Sequence, residues 1–393
     1  QFYHPKGVEV DANPESEFFG RIYATEGMPV AKGGDVYISD TNGNGVGQGL
    51  YAFDAALNPI ANKDGKYGFT GGLTFNNLNP AGKSDYSPLR VVLSEDGRLF
   101  FSRQSVGVSP LVEVNPADLD ANFTEVFTGF VCDSTTYDLN TADGAFMAAP
   151  NVGFDVKGTG ENLQVLMLST KVGGWGAAKS AFRVDEYNLG TATTWSAAPS
   201  TAVEALSGKY IVTYTSSNVE YDNEGGMWLI QHRGTPTASE PALVHLNAAG
   251  EVDYTNTSIN AAASGFAFNA DYTLLAFAGN GNKKCTIYAV GKDENGAPTL
   301  TEKYTFETTI GTNLNDIAWD YADNLYIVGN SGEYLKVFAL PRENAVVTTP
   351  AATRYTVDLA LPDTVRFANI AAIYEKGIWE EARYADYSWY ETI

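Results

Sequence analysis

The chain has little cysteine, histidine, methionine or positive charge. Among 393 residues there are 2 Cys, 3 His and 4 Met. Cys132 and Cys285 lie in different segments, so two free, buried thiols are expected in preference to a disulfide. Few cysteines do not by themselves forbid secretion. Lys plus Arg number 25 against 47 Asp plus Glu, a formal net charge of −22. A phosphate backbone needs a basic face, so nucleic acid is excluded as a natural partner. Docking on anionic lipid is disfavoured for the same reason. No window approaches about 18 consecutive apolar residues, so no membrane insertion is expected. Gly-x-Ser-x-Gly, His-Glu-x-x-His, P-loop and Rossmann fingerprints are all missing. The chain begins at Gln1 with neither Met nor a basic-then-apolar leader, as expected of a processed mature protein or a cut fragment.

Aromatics and turn formers are plentiful, with 23 Tyr, 20 Phe, 39 Gly and 16 Pro. Charged residues make up only 18%. A disordered acidic tail is thereby excluded, and many short strands are favoured over long helices. Few Lys, many Asn, Thr, Gly and Tyr, and a pI near 4.4 suit an extracellular bacterial protein.

A hairpin recurs. It is clearest at 91–100, 219–228, 265–275 and 317–326, each an apolar extended segment, then Ser94, Asp222, Asn269 or Asp320, a polar or Gly-bearing turn, and a large apolar residue opening a second strand. The short polar residue can bond the turn's own backbone and so fix the register. Weaker copies start at Val8-Glu9-Val10-Asp11, with an insertion before Arg21-Ile22-Tyr23, and at Val152-Gly153-Phe154-Asp155, which reaches Leu163 through a Gly-rich insertion. A last one, Ile373 to Trp379, keeps the spacing without the polar anchor. The intervals leave room for two more strands each, such as Leu111–Val114 with Phe123–Phe127, and Ala242–Leu246 with Glu251–Tyr254. Four-stranded antiparallel units at such spacing predict an all-β fold, a single β-propeller over residues 1–393. Seven copies predict seven blades, with six as the alternative.

Pro5 to Pro14 with Phe19-Gly20-Arg21-Ile22-Tyr23 resembles the opening of secreted β-propeller proteins of Bacteroidetes. Arg90 to Phe100 and Leu340-Pro341-Arg342-Glu343-Asn344 resemble later segments of that group, and the likeness covers most of the chain. More broadly the chain is similar to NHL, SMP-30 and YncE-like propellers. The resemblance implies the fold more than the function, because those groups include binding scaffolds, lactonases and unassigned surface proteins.

A closed propeller must join its last blade to its first. Only Gln1-Phe2-Tyr3-His4 precede the first copy, and only residues 380–393 follow Trp379, so the seventh blade looks short of strands. Two outcomes are expected of the aromatic tail, with Tyr384, Tyr387, Trp389 and Tyr390. It folds back to close the ring, or it contacts a neighbour and builds a homo-oligomer or fibre by strand addition.

Candidate site residues are scattered. Asp40-Thr41-Asn42-Gly43-Asn44-Gly45 matches half of a calcium loop, but its twelfth position is Tyr51 instead of Glu, which excludes a full EF-hand. A polar turn is the plainer reading, and Ca2+ on Asp40, Asn42 and Asn44 is the alternative. No other cofactor is expected. The loop with Asp133, Asp138, Asn140 and Asp143 is a weaker acidic candidate. Counting equally along the second strands brings Glu26, Arg103 and Gln231 to one face, where with His232 and Arg233 they could bind a small anion, sugar or metal. His4 is terminal, and His245 reads as a strand-face residue. Trp175, in a Gly loop, is a candidate for stacking on sugar, whereas Trp228 and Trp319 read as core, and Trp379 and Trp389 as packing for the tail. Asn122 and Asn256 stand in N-glycan sequons, and Ser134 and Thr364 in short motifs resembling the O-glycosylation sequon of Bacteroidetes.

These features predict a non-enzymatic extracellular structural or interaction protein of a cell surface, bacterial, partnered by itself or by an extracellular glycan or protein. A glycan- or peptide-binding propeller is the alternative. A metal-dependent SMP-30-like lactonase or hydrolase is the third reading, and it requires a Glu/Asp/Asn cluster on one cation, of which Glu26 is one member.

Overall fold

The protein's structure is a computed structural model. It describes residues 5–26, 38–39, 45–46, 49–58, 60, 88–103, 111–118, 124–126, 153–170, 182–190, 211–212, 218–230, 241–259, 263–279, 283–308, 314–329 and 335–339.

The described residues form antiparallel sheets, each strand hydrogen-bonded to its neighbours in chain order. The first sheet holds β1 (Pro5–Val10), β2 (Ile22–Glu26) and β5 (Gly49–Phe53); between them β3 (Ile38–Ser39) and β4 (Gly45–Val46) make a separate ladder. The second holds β6 (Pro88–Leu93), β7 (Leu99–Arg103), β8 (Leu111–Val114) and β9 (Thr124–Glu125). The third holds β10 (Phe154–Lys157), β11 (Gln164–Thr170), β12 (Phe182–Asn188) and β13 (Ile211–Val212), with a 3-10 turn at Gly160–Asn162. The fourth is β14 (Asn218–Tyr221), β15 (Met227–Ile230), β16 (Leu243–Leu246) and β17 (Val252–Asn256). The fifth is β18 (Ala263–Phe268), β19 (Leu274–Gly279), β20 (Lys284–Lys292) and β21 (Pro298–Glu307), and the sixth β22 (Leu314–Trp319), β23 (Asn324–Gly329) and β24 (Leu335–Ala339).

The hairpins form for the reason their sequence implies. Asp222 Oδ1 accepts from the N–H groups of Glu224 (2.8 Å) and Gly226 (2.7 Å), and Asp320 Oδ1 from those of Ala322 and Asn324. Ser94 Oγ accepts from Arg98 N, and Asn269 Oδ1 from Leu274 N. Each short side chain thus closes its own turn. The third copy differs. Asp155 does not anchor a turn; its Oδ2 accepts from Tyr221 N of the next sheet at 2.7 Å, and the connection runs through the 3-10 turn instead.

Neighbouring sheets pack face to face, and apolar groups fill each gap. Tyr23 and Leu50 meet Val91 and Phe101; Phe100 and Leu111 meet Phe154 and Met167; Leu166 meets Val219 and Leu229. Trp228 and Leu243 meet Phe266 and Phe277; Ala276 and Ile287 meet Ile317 and Ile327; and Ala318 and Tyr326 meet Val8 and Ile22. The last gap joins the sixth sheet to the first, so the sheets close a ring. Strands buried on both faces read as continuous apolar runs for this reason, as at Met227–Ile230.

The fold is a β-propeller, all-β as expected, but the described residues give six blades where seven copies were read. β22 packs directly on β1, with Asp316 Oδ2 accepting from Val8 N (3.1 Å) and Asn315 Nδ2 donating to Pro5 O (2.6 Å). That contact leaves no gap for another blade between them. The seventh copy, Ile373 to Trp379, and the tail at 380–393 lie outside the described residues. Among the described residues the seam is joined by the inner strands β22 and β1.

The turn side of the ring is stapled from blade to blade. Asn13 Nδ2 donates to Glu95 O, Gly158 N to Glu95 Oε1, and Lys157 Nζ to Asp222 O. Lys292 pairs with Glu224, Asn269 Nδ2 donates to Asp323 Oδ1, and Phe19 meets Tyr321 edge-on at 5.8 Å. Inner strands also approach very closely. A Cβ at Gly265 would stand 2.6 Å from Asp316 Cα, and one at Gly7 2.3 Å from Leu89 O, so both positions require glycine.

Candidate functional site

The first strand of each blade is innermost, so its channel-side edge carries N–H groups that no other strand can take. Acidic side chains take several of them. Asp155 accepts from Tyr221 N, Glu220 Oε1 from Phe268 N (3.0 Å) and Asp316 from Val8 N, each reaching to the next blade. Glu9 Oε1 accepts from Val10 N of its own strand at 2.9 Å. Each carboxyl thereby supplies the acceptor that an edge amide would otherwise lack.

These four acids belong to blades 1, 3, 4 and 6, and all sit on first strands, which pack on one another around the centre of the ring. Burial pushes the Glu9 carboxyl up to about 8, and Asp155, Asp316 and Asp11 add to the rise. Burial likewise lifts Asp155 to about 7, against the Tyr221 and Val156 N–H groups and Lys157. Glu220 rises well above the ordinary range through burial first, then the charge of Asp155. Asp316 is lifted to about 6 by burial, although Arg90 opposes the shift. Arg90 Nη1 lies 2.5 Å from Asp316 Oδ1 and donates to Asn315 O at 2.7 Å. The channel wall therefore carries four carboxyls and a single guanidinium among the residues just described.

Three buried side-chain atoms among the described residues lack a hydrogen-bond partner: Tyr23 Oη, Asn218 Oδ1 and Glu220 Oε2. The last two stand two residues apart on β14, hence on one face of the strand. Asn218 Oδ1 is an acceptor, whereas Glu220 Oε2 accepts only when its carboxyl is ionised and can carry the proton when it is not. With their carboxyls raised by burial, these acids hold protons to higher pH than usual and would ionise against a bound cation. No three Asp, Glu, His or Cys groups among the described residues converge closely enough to hold one metal ion.

A second polar cluster lies inside blade 4. His245 Nε2 is 2.7 Å from Asp222 Oδ2 and Nδ1 is 2.5 Å from Asp253 Oδ1, with the Trp228 ring at 4.6 Å. Burial opposes the charge on His245, but the bonds to Asp222 and Asp253 outweigh it and raise its pKa. Burial works against the Asp222 charge too, yet His245 and the Glu224 and Gly226 N–H groups hold it below the usual range. His245 is a strand-face residue, as its alternation implies, and its role is to lock a turn.

Only some of the residues singled out in the sequence are described. Glu26 ends β2, opposite Pro5 and Gly49, and Arg103 ends β7, opposite Pro88. Both belong to second strands, one step away from the axis, because the first strands are innermost. Gln231, His232, Arg233, Trp175, Asp40, Asn42, Asn44, Asp133, Asp138, Asn140 and Asp143 lie outside the described residues, as do Asn122, Ser134, Thr364, Tyr384, Tyr387, Trp389, Tyr390 and Cys132. Asn256 ends β17, where its Oδ1 accepts from Ser258 and Ile259 N–H and its Nδ2 donates to Tyr254 Oη at 3.0 Å. Cys285 is a buried free thiol. Sequence reasoning passed over Glu9, Arg90, Asp155, Glu220 and Asp316. The available signal was an acid two residues before the turn anchor, as in Glu9-Val10-Asp11 and Glu220-Tyr221-Asp222.

The fold and the channel define a six-bladed propeller, among the described residues, with an acidic axis. No protein-family model and no curated protein matches the chain. Among solved structures it is similar to hydrazine synthase of Kuenenia stuttgartiensis, at 10% identity and TM-score 0.44, over 86% of this chain and 96% of that one. It is similar also to a calcium-binding protein, regucalcin, from Agrobacterium tumefaciens, at 11% identity and TM-score 0.41, over 83% and 82%. The WD40 β-propeller domain of Doa1 matches at 10% identity and TM-score 0.41, over 86% and 94%. Likenesses this distant carry no argument about function, and the propeller assignment rests on the sheets themselves.

Proposed function

We propose that the chain is a non-enzymatic interaction propeller of a bacterial cell exterior, of the Bacteroidetes kind its sequence resembles, and that it binds a cationic ligand in the axial channel. The observation that carries the binding reading is the pair of buried, unpartnered side-chain oxygens, Asn218 Oδ1 and Glu220 Oε2, on the strand whose Tyr221 N–H is taken by Asp155. A buried acceptor without a donor costs free energy that a bound donor recovers. His245 supports a binding role over a catalytic one, since both its ring nitrogens are already taken by carboxylates inside a blade. The test is calorimetric titration of the protein with small inorganic and organic cations. Saturable binding of at least one, weakened about tenfold or more in Glu220→Gln, supports the reading. Absence of binding by every cation ends it.

A second reading, self-assembly into a fibre, comes from the sequence, whose aromatic tail at 380–393 could pair with another chain by strand addition. Concentration-dependent growth in light scattering supports it, and a monodisperse monomer at all concentrations removes it.

A further inference from the structure

We propose that His245 is the tie of a pH-operated latch on blade 4: carrying a proton on each ring nitrogen, it holds the bulged outer strand β17 through Asp253, and on losing one proton it lets that strand go.

The ladder between β16 and β17 is irregular at one place. His245 stands opposite Tyr254 and Leu246 opposite Val252, so Asp253 is the extra residue of a bulge. In a regular strand Asp253 would point away from the face that carries Tyr254. The bulge re-aims it, and its Oδ1 comes within 2.5 Å of His245 Nδ1. The other ring nitrogen, Nε2, is 2.7 Å from Asp222 Oδ2. A carboxylate only accepts, and a neutral imidazole has a single donor. Both carboxylates are therefore satisfied only by the imidazolium, in keeping with the raised pKa of His245, where the bonds to Asp222 and Asp253 outweigh burial.

The two contacts are unequal. Asp222 is pinned in its turn by the Glu224 and Gly226 N–H groups, and its side chain is 10% exposed. The side chain of Asp253 is 24% exposed. When one proton leaves, the other stays on Nε2 toward Asp222. The Nδ1 lone pair then faces the Asp253 carboxylate, which turns to water. Of the apolar residues of β17, Tyr254 packs in the gap to blade 5 and Val252 is 48% exposed. Strands with few buried contacts open locally at low cost. β16 is buried along its length, so the edge that β17 uncovers is an apolar one.

Other charged and titratable groups surround the cluster. Glu220 shares this face of blade 4, beyond Trp228. Lys157 of blade 3 donates to Asp222 O at 3.3 Å, and Glu224 pairs with Lys292 of blade 5. Tyr272 stacks on Phe268, which packs on Trp228. The ring nitrogens themselves are both taken by the two aspartates.

The test is hydrogen exchange of the full chain, read by mass spectrometry and corrected for base catalysis, at about pH 6 and about pH 9, on either side of the histidine titration. Residues 252–256 are expected to exchange about tenfold or more faster at the higher pH, the size of a one-unit difference in pKa between closed and open strand. β21, the outer strand of blade 5, should stay as protected as before. Asp253→Asn keeps the shape and removes the anion, so the exchange of β17 should become the same at both pH values, with circular dichroism verifying the fold. Glu251→Gln removes an exposed acid beside β17 and should leave the pH response intact. Should Asp253→Asn fail to fold, the comparison of β17 with β21 in the wild type carries the test alone. Equal protection of β17 at both pH values, equal acceleration of β21, or an unchanged pH response in Asp253→Asn overturns the proposal.

Discussion

His245 joins two carboxylates of one blade, and its removal would leave Asp222 and Asp253 facing each other without the cation between them. Breaking a buried ionic contact from one side costs about 3–5 kcal/mol, and the side chains of His245 and Asp222 are 7% and 10% exposed. His245→Ala is therefore expected to lower stability by about that amount, read from a urea unfolding curve. A change below about 1 kcal/mol would show that the turn does not depend on it. Arg90 and Asp316 make the comparable contact at the seam, with side chains 5% and 7% exposed. Asp316→Ala should cost a comparable amount, because it removes the carboxylate from the Arg90 guanidinium and the acceptor from the Val8 N–H. At this scale the sequence was legible wherever a residue acts on its own turn. Ser94, Asp222, Asn269 and Asp320 were readable as anchors because their partners lie two to five residues away. Asp155 was misread because its partner, Tyr221, is 66 residues distant, and nothing local distinguishes it from an anchor.

Strands and hairpins followed from the alternation and from turn chemistry, including the outer pair at 243–246 and 252–256. Which strand is innermost did not follow. The second strands are the more apolar, and apolarity marks burial between blades, not nearness to the axis. The candidate ring was therefore drawn through Glu26 and Arg103 on second strands rather than through Glu9, Glu220 and Asp316 on first strands. Close approach of inner strands gives an element-level prediction. Gly265→Ala would press a methyl against the Asp316 backbone, 2.6 Å away. Overpacking of this kind costs about 1–3 kcal/mol. A fall in Tm with unchanged far-ultraviolet dichroism of the native state is expected, and an unchanged Tm would mean that β18 and β22 are farther apart than described.

For the whole molecule, pH dependence follows from the channel. Glu9, Asp155 and Asp316 have folded-state pKa values of about 8, 7 and 6, above their ordinary 4.5, 3.8 and 3.8. A carboxyl with a raised folded value binds protons more strongly in the native state. Its stabilising effect is complete below about pH 4 and is lost as pH rises through the folded value. The raised His245 acts in the same sense, its contribution being present below its ordinary 6.5 and lost above. Asp222 acts oppositely and only in acid, since its folded value is lowered from 3.8. The chain without ligand should accordingly lose Tm steadily from about pH 5 to pH 8. A Tm that climbs over that window would contradict the channel's acidity. A bound cation should flatten the decline, because it favours the ionised carboxylates. Ring closure was the least legible feature of all. Hairpin counting cannot say whether the last copy is a blade, whereas the packing of Ala318 and Tyr326 on Val8 and Ile22 decides it among the described residues.

An experimental density map of the protein tests the central claim most directly. The account predicts six sheets about one axis, with Asp316 against the Val8 amide and Asp155 against the Tyr221 amide. A sheet inserted between β22 and β1, or carboxylates that leave the Val8 and Tyr221 amides unpaired, would contradict it.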